Sequence, residues 1–224
     1  MSALTDLLVA RRNVLLDFDG PICSVFSSFS SKDAARELAE SVCEPLPSEV
    51  AASSDPFDIL RFTAAGGSPA IEVIERKFTE LELKAIAVAR PTPYAADAMH
   101  MLVDRRYRIV VVSNNSVTAV ESYLRAHDLQ AVVSGVYGRT SDNVEWLKPN
   151  PHLLNVAMKD LGSEPNECVF VGDSVTDIEA SARASVPAVG FANRPGKAER
   201  FAESGAAVVI TSMEQISGAL PPIE

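Results

Sequence analysis

The stretch "NVLLDFDGPIC", Asn13 to Cys23, places three apolar residues directly before two aspartates. A run that is apolar without alternation is typical of a strand buried on both faces of a parallel sheet. Gly20 and Pro21 end the predicted strand, so Asp17 and Asp19 stand at its carboxyl end. Because ligands of open parallel sheets gather at the carboxyl ends of the strands, we expect these acids to belong to a functional site.

Four later segments repeat this order of apolar run, polar turn and helical pattern: "RIVVVSNNS", "ECVFVGDSVTD", "VPAVGFAN" and "AAVVITS". Helices between such strands suit right-handed crossover connections. The sequence therefore predicts an α/β fold with a doubly wound, Rossmann-like parallel sheet.

The segment between the first two predicted strands is several times longer than one crossover helix needs, and it contains no convincing strand before Arg108. Ser68 and Pro69 are a predicted helix start, as N-cap and first helical residue. Apolar residues then recur at helical spacing, at Ile71, Ile74, Phe78, Leu81, Ala85 and Val88.

Two further helices are predicted before this one, over about residues 31–42 and 56–65. We interpret residues 25–90 as an inserted all-α cap domain. Residues 1–24 and 91–224 then form the catalytic core.

Composition excludes several classes of function. The net charge of -10, with no basic run beyond two arginine pairs, argues against binding to nucleic acid. Three scattered cysteines form neither a disulfide framework nor a zinc-ligand spacing, which favours a reducing compartment. No segment approaches the ~20 apolar residues of a membrane span. We therefore expect a cytoplasmic protein that binds neither nucleic acid nor membranes.

Acidic residues follow two of the predicted strands. Asp17 and Asp19 follow the first, and Asp173 and Asp177 follow "CVFVG". Carboxylate and carbonyl oxygens are the ligands that Mg²⁺ prefers, and the ion commonly also binds substrate phosphate. The four acids therefore predict a magnesium site.

Groups suited to phosphate binding stand at two other places. Ser113 and Asn114 end a strand just before a predicted helix start near Val117. Lys148 in "WLKPNP" supplies a positive charge for a carboxylate and a phosphoryl group.

The motifs "DFDG", "VVVSNN", "LKPNP" and "VFVGDSVTD", in this order, resemble the four signature motifs of the haloacid dehalogenase superfamily of phosphatases. The insertion is placed as in members that carry a small C1-type cap. The resemblance extends from Asn13 through the tail "GFANRPGKAERFAESGAAVVITS".

This resemblance implies a role for each motif residue. Asp17 would be the nucleophile that forms an aspartyl-phosphate, and Asp19 would protonate the leaving oxygen and then deprotonate the attacking water. Mg²⁺ would bind Asp17, Asp173 and the carbonyl oxygen of Asp19, with Asp177 bound directly or through water. The phosphate would be held by Ser113, Asn114 and Lys148.

Pro21 departs from the family pattern, which usually has Thr or Val there. Proline has no N–H and a fixed φ, so we expect an altered loop geometry at the start of the cap. Asp17 and Asp19 are intact, so we expect activity to be retained.

The predicted function is a Mg²⁺-dependent phosphomonoester hydrolase acting on a small phosphorylated metabolite, as a monomer or homodimer. A phosphomutase on the same scaffold and a catalytically silent metabolite-binding module remain alternatives, whereas Asp19 argues against a dehalogenase or a phosphonate hydrolase. The cap is expected to close as a lid and to select the substrate. Its candidate contacts are Phe26, Phe29, Lys32, Arg36, Phe57 and Arg61.

Overall fold

The computed structural model describes residues 2–65, 71–141 and 143–221. Its strands are β1 (Asn13–Leu16), β2 (Cys23–Ser24), β3 (Arg90–Pro91), β4 (Arg108–Ser116), β5 (Gly135–Arg139), β6 (Cys168–Gly172), β7 (Ala188–Phe191) and β8 (Val208–Ile210). Its helices are α1 (Ala3–Val9), α2 (Ser31–Ala39), α3 (Ser48–Ala51), α4 (Pro56–Ala65), α5 (Ile71–Ile86), α6 (Ala95–Asp104), α7 (Val117–Ala126), α8 (His152–Leu161), α9 (Val175–Arg183), α10 (Lys197–Glu203) and α11 (Glu214–Ala219).

The main sheet has the strand order β5-β4-β1-β6-β7-β8, and every neighbouring pair is parallel. This arrangement confirms the predicted α/β fold. Because β1 lies between β4 and β6, the chain segments that follow these three strands meet at one edge of the sheet.

The side chains of β1 alternate between two apolar clusters, one on each face of the main sheet. Val14 and Leu16 belong to the apolar cluster beneath α1, α6, α7 and α11, whereas Leu15 belongs to the cluster on the opposite face. All three side chains are buried. A strand covered on both faces must be apolar at every position, as the sequence of β1 is.

Helices α2 to α5 lie between β2 and β3, which pair in an antiparallel two-stranded ribbon. The sequence did not predict this ribbon. Phe78 and Leu81 of α5 belong to the same apolar cluster as Leu15 and Val110 of the sheet. The inserted helices therefore share an apolar core with one face of the main sheet.

Several predicted boundaries differ from the structure. Helix α2 ends at Ala39, before the predicted Val42. Helix α5 ends at Ile86, so Val88 leaves the buried stripe and is 53% exposed. Strand β5 was not predicted, because "GVYGR" has two glycines and no apolar run.

The predicted helix start at Ser68 and Pro69 lies outside the described residues. Among the helices that the structure describes, none has the length and apolar character needed to cross a membrane.

Candidate active site

The strand ends bring the predicted site residues to one edge of the sheet. Asp17 follows β1 directly, and its backbone N–H donates to Val171 O of β6 at 2.8 Å. Ser113 lies in β4 where the pairing with β5 shifts register after Val112. Asp173 follows β6, and α9 begins two residues later. The sheet order therefore assembles three segments that are distant in sequence.

Lys148 is buried between two of the acids. Its Nζ lies 2.9 Å from Asp17 Oδ1 and 2.6 Å from Asp177 Oδ1, and it donates to Val112 O at 3.1 Å. Burial alone lowers the pKa of Lys148, but the charges of Asp17 and Asp177 outweigh it and raise the pKa above its usual value. Lys148 is therefore a fixed positive charge in this site.

Asp17, Asp173 and Asp177 form a compact group of acids. Each contributes a carboxylate oxygen, and these oxygens lie within 4.8 Å of one another. Burial raises the pKa of Asp17 and of Asp173, and the neighbouring acids raise both further against the lowering effect of the lysines. The cluster thus carries more negative charge than its lysines offset, and a bound divalent cation would relieve this repulsion.

Asp177 has a structural role as well. Its Oδ2 accepts hydrogen bonds from Asp173 N, Ser174 N and Ser174 Oγ at 3.0, 3.0 and 2.7 Å. Ser174 Oγ in turn accepts from Asp177 N, which completes a capping box at the start of α9. One oxygen of Asp177 therefore caps the helix, while Oδ1 faces Lys148.

Asp19 is not one of the three acids whose carboxylate oxygens cluster. Its Oδ1 accepts the N–H of Val25 at 2.9 Å, and Oδ2 has no hydrogen-bond partner among the described residues. Burial raises the pKa of Asp19 to about 6, while the Val25 N–H lowers it. The two aspartates of "DFDG" thus have different partners, the Lys148 ammonium for Asp17 and the Val25 N–H for Asp19.

Gly20 and Pro21 form a tight turn after Asp19. Gly20 has a φ of 107°, and a β-carbon there would overlap the Asp173 side chain. The turn is closed by Gly20 N donating to Cys23 O at 2.6 Å and Ile22 N donating to Phe18 O at 3.2 Å. The missing N–H of Pro21 is therefore not needed to close this loop.

Asn114 holds the backbone of Lys148. Its Oδ1 accepts Lys148 N–H at 2.8 Å, and its Nδ2 donates to Lys148 O at 3.1 Å. Both polar atoms of the Asn114 side chain are thus engaged with the lysine loop. The Asn114 side chain therefore positions Lys148, and its Nδ2 keeps one further N–H for a ligand.

A buried carboxylate that the sequence analysis missed supports the β4 end. Glu82 of α5 is fully buried and accepts hydrogen bonds from Asn115 Nδ2 at 3.0 Å, Ser116 N at 3.0 Å and Arg139 Nη2 at 2.7 Å. Asn115 Oδ1 accepts in turn from Ser113 Oγ at 3.1 Å. A chain of hydrogen bonds therefore joins an inserted helix to the predicted phosphate-binding residue Ser113.

A cavity of about 1140 Å³ opens beside the site. Of the seven predicted site residues, all of which the structure describes, Asp19 is the one that lines it. Of the six insertion side chains singled out from the sequence, Phe26 lines the cavity. Phe29, Lys32, Arg36, Phe57 and Arg61 are not part of its wall.

Polar side chains from outside the predicted motifs form much of the cavity wall. Arg90 lies in β3, and Asn193 and Arg194 follow β7. Five serines between Ser24 and Ser31 line the cavity on the insertion side: Ser24, Ser27, Ser28, Ser30 and Ser31. Sequence analysis gave no reason to single these residues out, because surface serines and arginines are common.

Known proteins support the assignment of the fold and family. A family model described as haloacid dehalogenase-like hydrolase matches residues 14–191. Phosphoglycolate phosphatase of Salmonella paratyphi A is 31% identical over 128 residues, which are 57% of this chain and 50% of the relative. The Escherichia coli K12 enzyme of the same name is 33% identical over 99 residues, 44% of this chain and 38% of the relative. The chain thus spans half or less of the length of these curated relatives.

Two solved structures share the fold over nearly the whole chain. A predicted phosphoglycolate phosphatase from Haemophilus somnus 129PT is 18% identical, with a TM-score of 0.68 and coverage of 93% of this chain and 97% of its own. CbbY from Rhodobacter sphaeroides, in complex with phosphate, is 21% identical, with a TM-score of 0.69 and coverage of 92% and 96%.

Proposed function

Because the chain belongs to the haloacid dehalogenase-like hydrolase family, we propose that it is a phosphatase that hydrolyses phosphate monoesters of small metabolites. The observation that carries the proposal is the buried Lys148, which lies between Asp17 and Asp177 at the carboxyl end of the sheet. A buried lysine beside clustered acids provides both signs of charge that phosphoryl transfer requires.

Asp17 is the proposed nucleophile. Its Oδ1 accepts from Phe18 N at 2.8 Å and lies beside Lys148, whereas Oδ2 has no hydrogen-bond partner in the described part of the chain. This oxygen attacks phosphorus, and the bond between phosphorus and the ester oxygen breaks with its electron pair going to that oxygen. The product of this first step is an aspartyl-phosphate on Asp17.

Asp19 is the proposed general acid and base. It donates its proton to the ester oxygen as the alcohol leaves, and then takes a proton from the water that attacks phosphorus. The bond between phosphorus and Asp17 then breaks, which releases inorganic phosphate and restores the carboxylate. Asp19 lines the open cavity and is not a member of the group of three acids, which supports this division of roles.

Lys148, Ser113 and Asn114 are the proposed phosphate-binding residues. Lys148 offers its ammonium group and Ser113 its hydroxyl group. Asn114 offers its backbone N–H and the second N–H of its side-chain Nδ2, whose first N–H donates to Lys148 O. Asn114 therefore also has a positioning role for Lys148.

A divalent cation, Mg²⁺ in this proposal, fits the acid cluster. Its ligands would be carboxylates of Asp17, Asp173 and Asp177 together with the backbone carbonyl of Asp19. The closely spaced carboxylate oxygens, two of them from buried residues and one from the partly buried Asp173, suit a hard cation. When bound, the cation would neutralise phosphoryl oxygens and reduce their repulsion from the acids.

Small phosphate esters, with phosphoglycolate first among them, are the proposed substrates. Phosphoglycolate is chosen because two curated relatives carry its name. The test is a panel of esters incubated with Mg²⁺ and scored for released phosphate, with Asp17→Asn protein as the matched control. Treatment with EDTA should abolish release, and added Mg²⁺ should restore it.

Each outcome of this panel has a distinct meaning. Phosphate release that depends on Asp17 and on Mg²⁺ supports the phosphatase. Transfer of phosphate within a sugar phosphate without release would identify a phosphomutase, and tight binding without turnover would identify a silent module. Full activity after exhaustive EDTA treatment would contradict the metal assignment.

A further inference from the structure

The cavity adjoins the side of the site from which the alcohol leaves. Asp19, the proposed proton donor to the leaving oxygen, lines the cavity, whereas Asp17, Ser113 and Lys148 do not. The part of a substrate that occupies the cavity is therefore the alcohol part and not the transferred phosphoryl group. This assignment rests on the proposed phosphatase function.

Two arginines line this cavity, and neither forms a close ion pair with a carboxylate of the described residues, although the charge of Arg194 lowers the pKa of Asp19. Arg90 Nη2 donates to Ser27 O at 3.3 Å, and its backbone N–H donates to Ser27 Oγ at 3.0 Å, which fixes the arginine in β3. The Arg194 side chain makes no hydrogen bond or ion pair within residues 2–65, 71–141 and 143–221. Both side chains are exposed. The guanidinium N–H groups other than the one that Arg90 donates to Ser27 O are thus available to a ligand in the cavity.

The charges on the cavity wall also favour an anionic ligand. The chain has a net charge of -10, yet two arginines line this wall. The nearby carboxylate of Asp173 already has a partner, since Lys197 Nζ lies 2.6 Å from its Oδ2. Asp19 is the acid that lines the cavity, so the wall carries two positive charges against one negative charge.

We propose that Arg90 and Arg194 bind a second anionic group on the alcohol part of the substrate. The preferred substrates are then phosphate esters whose leaving alcohol carries a carboxylate or a second phosphate. Guanidinium groups suit both, because their planar N–H pairs match two oxygens of either anion. The serine hydroxyls of the wall complement a polar rather than an apolar alcohol.

The test compares three esters of similar size. These are phosphoglycolate, ethylene glycol bisphosphate and ethylene glycol monophosphate, whose leaving alcohols carry a carboxylate, a phosphate and a neutral hydroxyl. The measured quantity is kcat/KM for wild type, Arg90→Gln, Arg194→Gln and the double variant. Arg76→Gln is the matched control, because Arg76 is an exposed arginine of the inserted helix α5 and does not line this cavity.

Wild type should prefer at least one anionic ester over the neutral one by about tenfold or more, and the faster anionic ester identifies the anion. Each cavity variant should lower kcat/KM for that ester by about tenfold, the value of one charge-assisted hydrogen bond. The kcat/KM of the cavity variants for the neutral ester, and that of the Arg76→Gln control for every ester, should change by less than about twofold.

Two results would overturn the inference while leaving the phosphatase proposal intact. One is equal turnover of all three esters by wild type. The other is an equal loss of kcat/KM for anionic and neutral esters in the arginine variants, which would place the arginines in the chemistry itself. Absence of phosphate release from every ester, including p-nitrophenyl phosphate, would instead overturn the proposed function and this inference with it.

Discussion

The acid–lysine cluster at the strand ends and the cavity beside it differ most in burial. Asp17, Lys148 and Asp177 are 6%, 2% and 1% exposed, and each is held by several contacts. Arg90 and Arg194 on the cavity wall are exposed and have few contacts. Buried groups with fixed partners are suited to chemistry common to all substrates, whereas exposed groups on an open wall are suited to distinguishing one substrate from another.

The largest effect is expected for Asp17→Asn. The amide keeps the shape of the side chain but is a poor nucleophile, so turnover of every ester should be abolished. The fold should persist, because the amide oxygen can still accept the N–H of Phe18. Phosphate release and thermal unfolding measure the two effects. Wild-type turnover of any good substrate by this variant would refute the covalent mechanism.

The next largest effect is expected for Asp19→Asn. Without a proton donor for the alcohol and a base for water, turnover should fall by about 10²- to 10⁴-fold. All esters should be affected, because Asp19 acts on the ester oxygen that they share. Steady-state rates over the ester panel provide the measurement, and a variant within about twofold of wild type would rule out this role.

Glu82→Ala tests the buried hydrogen-bond network that joins helix α5 to the end of β4. The substitution leaves the fully buried Arg139 without its closest carboxylate, so the free energy of unfolding should fall by about 3–5 kcal/mol. Glu80→Ala, at an exposed position of the same helix, is the matched control and should change it by less than about 0.5 kcal/mol. Urea denaturation measures both variants. Equal stability of the two variants would show that the buried network has no net stabilising role.

The smallest effect on the free energy of unfolding is expected for a substitution on the exposed cavity wall. Ser28 is exposed and lines the cavity, so Ser28→Ala should change the free energy of unfolding by less than about 0.5 kcal/mol. Ser181→Ala should cost about 1 kcal/mol or more, because the buried Ser181 Oγ donates to Val186 O at 2.7 Å. If Ser28→Ala were the more destabilising substitution, the open wall would be part of the structural core.

Much of the fold could be predicted from sequence, because buried parallel strands have apolar runs and their ends have distinctive turns. Asp17, Ser113 and Asp173 were predicted at strand ends on this basis. Asp17 and Asp173 directly follow β1 and β6, whereas Ser113 lies within β4, which continues to Ser116. Strand β5 was missed because its sequence, "GVYGR", contains two glycines. Val88 was wrongly included in the buried helical stripe, since periodicity does not show where a helix ends.

The support residues of the site could not be predicted from local pattern. Glu82 lies in helix α5, and an acid in a helix usually faces solvent. Its partners Asn115 and Arg139 are distant in the sequence, so the neighbouring residues do not indicate that Glu82 is buried. Arg90 and Arg194 are about a hundred positions apart in the sequence, yet both line the cavity. The Glu82 network and the arginine pair both depend on tertiary contacts. The periodicity of the sequence therefore does not predict either of them.

The most direct test of the central claim is to trap the phosphoryl group. Wild-type protein is mixed with substrate and Mg²⁺, quenched in acid during turnover, digested, and its peptides are sequenced by mass spectrometry. The account predicts a phosphoryl group on Asp17 that is absent from Asp17→Asn protein treated in the same way. Phosphate release accompanied by a phosphoryl group on another residue would contradict the account.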